Sequence, residues 1–277
     1  MRTCRNLFST LAVIALLFVI SGCGTTTGSN TAGSPVAGAS PTPVPSPSPS
    51  PTPSGSPSNA TVLNNVEDSP DWLTCGACGN TGGTGATANY SFTPGMGSPS
   101  EDGGSTQFAI AATVPYSNGY FYRQQTAITH QINALTYSFD LYIPAGMEAA
   151  PQAIEFECQQ VLDGWVYNFS WQALYPGSQW RIFDYGLKRW DSTPLSFTHF
   201  TPGTWHHIVA EYHNDTTAHT VIHDALTVDG ERFPVNITHN AFFSGGRNQF
   251  TNAVQLDSNS TPTPYNIYVD QMTITYQ

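Results

Sequence analysis

The sequence has few charged residues, and few of those are positive. Only 10% of its 277 residues are charged, and 8 Lys and Arg stand against 19 Asp and Glu, which gives a formal net charge of −11 at pH 7. A chain with this charge repels the phosphates of nucleic acids and the surfaces of anionic membranes. The composition therefore predicts that the protein does not bind nucleic acid and does not bind a membrane through its surface charge.

Long amphipathic helices and common catalytic fingerprints are also missing. The sequence has no sustained 3.6-residue pattern of apolar residues with caps, and it has no P-loop, dinucleotide-binding or serine-hydrolase fingerprint. His213, His219 and His223 are candidate zinc ligands, but they lie across a turn and no H-E-x-x-H motif accompanies them. We therefore predict no metal site from the sequence.

The N-terminus has the three parts of an export signal. Two arginines precede an apolar run from Leu7 to Ile20, which is short for a membrane span. The run ends in Ile20-Ser21-Gly22-Cys23, which resembles the bacterial lipobox, whereas an ordinary secretory signal is the alternative. The resemblance implies that residues 1–22 are a lipoprotein signal peptide and that Cys23 is lipidated. We expect an exported protein in the bacterial cell envelope, at the outer membrane or cell surface, that contacts the membrane only through this lipid.

The few cysteines are consistent with an oxidising compartment. Once Cys4 leaves with the signal and Cys23 takes the lipid, Cys75, Cys78 and Cys158 remain. The first two form Cys75-Gly-Ala-Cys78 in a glycine-rich stretch, which predicts a local disulfide. A zinc or redox CxxC is the alternative, but there is no second CxxC to complete a zinc site. Cys158 lies in an apolar alternation and is predicted to be a buried free thiol.

Composition divides the mature chain into two parts. Residues 23–60 consist mainly of Thr, Gly, Ser and Pro, with alternating Ser/Thr and Pro from Ser40 to Ser58. Such a segment cannot bury a core, so we predict a disordered or polyproline-II tether after the lipidated cysteine. Residues 61–277 are long enough to form one domain with a substantial core.

Within residues 61–277, apolar and polar residues alternate with period 2 between Gly, Pro, Asn and Asp turns. The clearest strands are predicted at Thr136–Ile143, Ala153–Gln160, Trp165–Ala173, Trp205–Tyr212, Ala225–Asp229, Ala253–Asp257 and Ile267–Tyr276. So many strands without helices predict an all-β sandwich or barrel.

Three segments resemble a known fold family. Pro202–Tyr212 and Leu226–Gly230 contain a W-H-x-hydrophobic strand followed by V-D-G, which is similar to a hairpin of concanavalin A-like jelly rolls, including laminin-G-like modules and laminarinase-type glycoside hydrolases. Tyr265–Tyr276 resembles their final strand, which pairs near the N-terminal strand, and Ile154–Gln159 resembles the catalytic strand of the hydrolases. The resemblance implies a jelly-roll β-sandwich of two antiparallel sheets that commonly binds glycans across a concave face.

Strand alternation places Glu155, Glu157 and Gln159 on one face of the sheet. Laminarinase-like hydrolases carry a nucleophile, a helper acid and a general acid/base on such a face, in an E-x-D-x-E or E-x-D-x-x-E pattern. By this resemblance Glu155 would be the nucleophile and Glu157 its helper. The third place holds Gln159, and an amide cannot donate and retake a proton. Asp257 or Glu211 could supply an acid, but nothing in the sequence places either one there.

Further candidate ligand contacts come from other segments of the sequence. Gln255 and Asp257 share one face of their predicted strand, and carboxylates and amides bind sugar hydroxyls. Tyr167, Trp171 and Trp180 are candidate platforms for sugar rings, although aromatic residues on strands more often belong to the core.

The sequence as a whole favours a surface-displayed lipoprotein with a non-catalytic, lectin-like carbohydrate-binding domain, whose partner is a polysaccharide or other glycan. A laminarinase-like glycoside hydrolase is the first alternative, and a structural or adhesive protein-binding module is the second. We expect no cofactor, although a structural calcium ion bound by loop oxygens, which is common in this fold class, stays open.

Overall fold

A computed structural model describes residues 59–75, 88–125 and 128–277. All of them belong to one unit that extends from Ser54 to Gln277. The signal peptide, Cys23, the tether up to residue 58 and Cys78 lie outside the described residues, so the predictions that concern them are not tested. Within the described residues, no helix is both long and apolar enough to cross a membrane.

Sixteen strands among the described residues form two antiparallel sheets of eight strands each. The first sheet contains β1 (Thr61–Leu63), β3 (Ala88–Met96), β4 (Ser105–Ala112), β6 (Ala134–Tyr142), β11 (Trp205–Asp215), β12 (Thr220–Val228), β13 (Glu231–Asn240) and β16 (Tyr265–Tyr276). The second contains β2 (Leu73–Cys75), β5 (Asn118–Gln125), β7 (Pro151–Leu162), β8 (Gly164–Leu174), β9 (Gln179–Asp184), β10 (Arg189–Ser196), β14 (Phe242–Gly246) and β15 (Gln249–Ser258).

Many neighbouring strands within each sheet are not consecutive in the sequence. The first sheet runs β13-β12-β11-β6-β16-β4-β3, with β1 paired to β16. The second runs β10-β9-β8-β7-β15-β5-β2, with β14 paired to β8. This architecture confirms the predicted all-β fold class, a jelly-roll sandwich of two antiparallel sheets. It also confirms that the final strand pairs with the first described strand, with Thr61 opposite Tyr276.

The seven strands predicted from alternation are all present, as β6, β7, β8, β11, β12, β15 and β16. The strands that were not predicted include β10, β13 and β14, which lie at or near sheet edges. Their residues are mostly exposed or half-buried, because a strand at the edge of a sheet lies at the margin of the core and is covered by a neighbour on one side only. Such strands carry little of the apolar alternation on which the prediction depends.

Two tight turns set the pairing of neighbouring strands. Asp163-Gly164 joins β7 to β8, and Asp229-Gly230 joins β12 to β13, with φ values of 49°, 82°, 51° and 82° in that order. A type I′ hairpin turn needs a positive φ at both central residues, and Asp-Gly is a preferred pair for it. The first turn therefore fixes the register of β7 against β8, which places the polar residues of the two strands side by side.

The core lies between the two sheets and is rich in aromatic side chains. Phe139 of β6 packs on Phe156 of β7 with ring centroids 4.5 Å apart, and Phe169 of β8 packs on Tyr212 of β11 at 5.2 Å. Each of these pairs joins one sheet to the other, and burial of such a side chain contributes about 1.5–3 kcal/mol. Cys158 is buried and free, as predicted.

Candidate functional site

A row of polar side chains crosses the outer face of the second sheet. Tyr120, Gln255, Glu155, Gln172 and Arg181 occupy directly paired positions on β5, β15, β7, β8 and β9. Directly paired residues of antiparallel strands project to the same face. Five strands from three separate parts of the sequence therefore contribute to one polar surface.

Two further rows run beside the first. Glu157 of β7 lies opposite Ser170 of β8, and Gln159 lies opposite Asn168. The intervening residues of both strands point the other way, into the core. The outer face of the second sheet is thus polar over three successive rows.

A pocket of about 320 Å³ opens over these rows. Its walls are formed by Tyr120, Glu155, Glu157, Gln159, Asn168, Phe183, Tyr185, Lys188, Trp190 and Gln255. Four of the residues predicted to bind a ligand, Glu155, Glu157, Gln159 and Gln255, are brought together here. Asp257 does not line the pocket, but its carboxyl hydrogen-bonds with that of Glu155.

A hydrogen-bond relay holds Glu155 in place. The Arg181 Nη1 donates to Gln172 Oε1 at 3.3 Å, and Gln172 Nε2 donates to Glu155 Oε1 at 2.6 Å. A guanidinium can only donate, so it fixes the orientation of the Gln172 amide with the nitrogen toward the carboxyl. The Arg181 Nη2 also donates to the Trp190 carbonyl at 3.0 Å, which links the relay to β10.

The carboxyl groups of Glu155, Glu157 and Asp257 share protons. Burial, together with the charges of Asp257 and Glu157, raises the pKa of Glu155 well above its usual range. Burial raises the pKa of Glu157 to about 7 and that of Asp257 to about 6. Glu155 hydrogen-bonds with both neighbours, and Tyr120 Oη donates to Glu157 Oε2 at 3.4 Å. Near neutral pH the cluster therefore contains carboxyl groups that donate as well as accept hydrogen bonds.

Opposite the carboxyl groups stands an aromatic wall formed by Phe183, Tyr185 and Trp190 from β9, β10 and their connection. The Phe183 ring centroid lies 5.1 Å from that of Trp190 and 6.0 Å from that of Tyr185. Lys188 places its Nζ 3.0 Å from the Tyr185 ring centroid and 4.4 Å from that of Phe242. The pocket thus has a carboxyl and amide side and an aromatic side.

The structure corrects the identity of the predicted aromatic platform. Tyr167, Trp171 and Trp180 are buried in the hydrophobic core and do not line the pocket. Trp171 and Trp180 pack edge-to-face on each other at 6.2 Å, and the Tyr167 Oη hydrogen-bonds with His219 Nδ1 at 3.0 Å. The inner face of β8 takes the large rings because the space between the sheets must be filled with apolar volume.

The sequence analysis missed Asn168 and Gln172 on β8, although a signal for them was present. In the run Tyr167-Asn168-Phe169-Ser170-Trp171-Gln172, polar residues take every second position. Asn168 and Gln255 both line the pocket, and Asn168 Oδ1 and Gln255 Oε1 are buried without a hydrogen-bond partner among the described residues. An unpartnered buried acceptor costs about 1–3 kcal/mol, so these oxygens favour a ligand or water that donates to them.

The candidate zinc histidines of the sequence do not share a ligand site in the described residues. His213 Nδ1 lies 2.7 Å from Asp224 Oδ1, and the His219 ring stacks on Trp165 at 3.8 Å. His223 is buried, and this burial lowers its pKa to about 3, so the imidazole is neutral. The structural calcium ion left open by the sequence stays a prediction.

Cys75 is disulfide-bonded. Its partner lies outside the described residues, and Cys158 is the free cysteine within them. The predicted Cys75–Cys78 pairing is therefore not tested.

No protein family and no curated protein matches the chain. Among solved structures, it is similar to lectin I from Ulex europaeus in complex with the methyl glycoside of α-L-fucose, at 10% identity over 79% of this chain and 99% of that one, with a TM-score of 0.47. A carbohydrate esterase from the Shiga toxin-encoding bacteriophage phi24B matches at 12% identity over 79% of this chain and 100% of that one, with a TM-score of 0.46.

The chain is also similar to a structure from a study of carbohydrate-binding modules of the β-sandwich superfamily. The identity is 12%, the TM-score is 0.40, and the match covers 73% of this chain and 56% of that one. At such identities and TM-scores, the function has to be argued from the pocket itself.

Proposed function

We propose that the protein is a surface-displayed lipoprotein whose β-sandwich binds a carbohydrate, without catalysis, in the pocket of the second sheet. The observation that carries the proposal is that one pocket contains both an aromatic wall and two residues, Asn168 and Gln255, whose buried side-chain oxygens have no hydrogen-bond partner among the described residues. A sugar offers hydroxyl donors at its rim and apolar C–H groups on its faces, so it complements both sides of the pocket.

The carboxyl side of the pocket favours an uncharged sugar. Glu155 and Glu157 crowd together with shared protons, and a uronic acid or sulfate placed beside them would add like charge. Among the described residues, Lys188 is the one basic side chain that lines the pocket. A neutral glycan can accept hydrogen bonds from the protonated carboxyl groups and donate to the amide oxygens.

A glycoside hydrolase is the second candidate, and Asp257 is the candidate for the third carboxyl that it requires. Asp257 stands next to Glu155, within hydrogen-bond contact, on the adjacent strand β15. A retaining hydrolase keeps its two working carboxyl groups about 5–5.5 Å apart, on either side of the sugar bond. Direct contact between Glu155 and Asp257 favours a binding site over this mechanism.

The two candidates are separated by incubating the full chain and its Glu155→Gln variant with a panel of soluble and insoluble polysaccharides. Retention on a neutral polysaccharide without release of reducing ends supports the proposal. Release of reducing ends that is lost in Glu155→Gln would establish the hydrolase instead. No retention and no release on the whole panel would contradict both and favour a protein-binding module.

The anchoring part of the proposal rests on the N-terminal sequence and has its own test. The wild-type chain and its Cys23→Ala variant are expressed in bacteria that are supplied with a radioactive fatty acid. We expect the wild type to be labelled and the variant not to be. Equal labelling of both chains, or none of either, would contradict lipidation at Cys23.

A further inference from the structure

Behind the aromatic wall, three potential metal ligands from both sheets converge. Asp184 ends β9, Asp191 lies in β10, and His239 lies in β13 of the other sheet. One ligand atom from each lies within 4.8 Å of the others. β10 and β13 are the last strands of their sheets on this side and contact each other there, so the cluster bridges the two layers.

The ring nitrogens of His239 make no short polar contact among the described residues. Its side chain is only 9% exposed, and its Nδ1 is buried with no hydrogen-bond partner among the described residues. Its Nε2 lies 3.6 Å from Asp191 Oδ2, which is too long for a direct hydrogen bond. A buried imidazole that faces two carboxyl groups across such a gap lacks the contacts that would compensate for its desolvation.

The spacing fits a small transition-metal ion. Two ligands bound tetrahedrally at about 2.1 Å from zinc are about 3.4 Å apart, close to the distance from His239 to Asp191. No two of the three ligand atoms lie more than 4.8 Å apart, so any pair has to close by at most about 1.4 Å. An imidazole with two carboxylates suits zinc and its neighbours in the transition series, whereas calcium prefers oxygen ligands alone.

The existing contacts leave ligand oxygens for an ion. Asp184 Oδ1 accepts the Leu187 amide at 2.9 Å, which holds that carboxylate in the turn and leaves its Oδ2. Arg189 contacts Asp191 Oδ1 at 2.7 Å and Oδ2 at 3.5 Å, but its side chain is 61% exposed. An exposed pair of this kind contributes at most about 1 kcal/mol, so Arg189 can give way to a divalent ion.

We propose that Asp184, Asp191 and His239 form a binding site for a divalent transition-metal ion of the zinc type, which ties β9 and β10 to β13. Asp184 lies between the wall residues Phe183 and Tyr185, and Asp191 follows Trp190. Because side chains alternate along a strand, the ion binds behind the wall while the rings face the pocket. Its role is structural, since it fixes the strands that carry the wall.

The test begins with removal of metal from the full chain by a chelator. Zinc binding is then measured by calorimetric titration. Comparison variants are Asp191→Asn and His239→Gln, and the matched control is Asp224→Asn, which removes the carboxylate of the separate His213–Asp224 pair. We expect one zinc ion to bind to the wild type and to the control, and each comparison variant to bind that ion at least tenfold more weakly. Zinc binding of equal strength in all four chains, or none in the wild type, would overturn the proposal.

Two further measurements separate loss of the site from loss of the fold. Thermal unfolding without metal should be similar for Asp191→Asn and the wild type, because this substitution is isosteric and at a half-buried position. Zinc should raise the midpoint in the wild type and in Asp224→Asn but not in Asp191→Asn, whereas calcium at the same concentration should leave all three unchanged. A rise of equal size in the wild type and Asp191→Asn would contradict the site. None of these results depends on whether the pocket binds a carbohydrate.

Discussion

Because the carboxyl groups of the cluster take up protons on folding, the stability of the protein should depend on pH. The substitution Glu157→Gln isolates the contribution of one of these groups. The pKa of Glu157 is raised from 4.5 to about 7, chiefly by burial. A carboxyl whose pKa is raised on folding binds more protons in the folded state than in the unfolded chain between these two values. Its contribution to stability is therefore fully present below pH 4.5, falls as the pH rises through this window, and is lost above about pH 7.

The magnitude follows from the shift. A displacement of 2.5 pKa units at about 1.36 kcal/mol per unit corresponds to about 3 kcal/mol. Glu157→Gln replaces the carboxyl with a neutral amide of the same shape that can still accept from Tyr120. We expect its free energy of unfolding, relative to that of the wild type, to rise by about 3 kcal/mol between pH 4 and pH 8.

Urea unfolding of both chains at several values between pH 4 and pH 8 measures this difference directly. Glu67, whose pKa is raised by burial to about 8, titrates equally in the two chains and cancels from the comparison. Glu148→Gln, at an exposed position, is the matched control, and its difference from the wild type should stay flat. A flat difference for Glu157→Gln as well would refute the account of a buried, proton-sharing cluster.

Three further substitutions test other parts of the structure. Trp171→Ala should lower the free energy of unfolding, measured in urea, by about 3–5 kcal/mol, because this ring belongs to the core. The folded variant should still be retained on the glycan. Loss of retention with little loss of stability would instead place the ring in the binding site. Gly230→Ala should cost about 1–2 kcal/mol in the same assay, since φ is 82° in the turn after β12, and an unchanged stability would contradict that turn. Arg232→Ala removes a two-pronged pair with Glu211 at the surface and should cost no more than about 1 kcal/mol, with the cost shrinking in high salt; a larger, salt-independent cost would contradict an exposed pair.

The alternation in β7 is enough to predict which of its residues face away from the core. The same rule places Gln255 on the outward face of its strand, and the pairing of β15 with β7 then brings it beside Glu155. The rule could not decide the role of Trp171 and its neighbours, because a large ring fits equally well in a core and in a binding site. Burial between the sheets decides that question, and it depends on the partner sheet rather than on the strand itself.

The aromatic wall and the proposed metal ligands could not be predicted for a different reason. Burial alternates in β9, but the adjacent pair Phe183-Asp184 breaks its apolar–polar sequence pattern, and β10, which carries Trp190 and Asp191, is mostly exposed or half-buried. His239 meets these strands only because β13 is the last strand of the other sheet on the same side. This contact depends on how the two sheets pack against each other, so a local sequence pattern cannot predict it.

The central claim is that the pocket binds a carbohydrate against its aromatic wall. The most direct test uses a neutral glycan that binds the protein in the polysaccharide panel. The affinity for this glycan is measured for the full wild-type chain, for Trp190→Ala and for Trp205→Ala. Both rings are half-buried, but Trp205 lies outside the pocket, on the first sheet, against Tyr142. The account predicts a loss of at least tenfold in affinity for Trp190→Ala and none for Trp205→Ala; equal affinities in the two variants would contradict it.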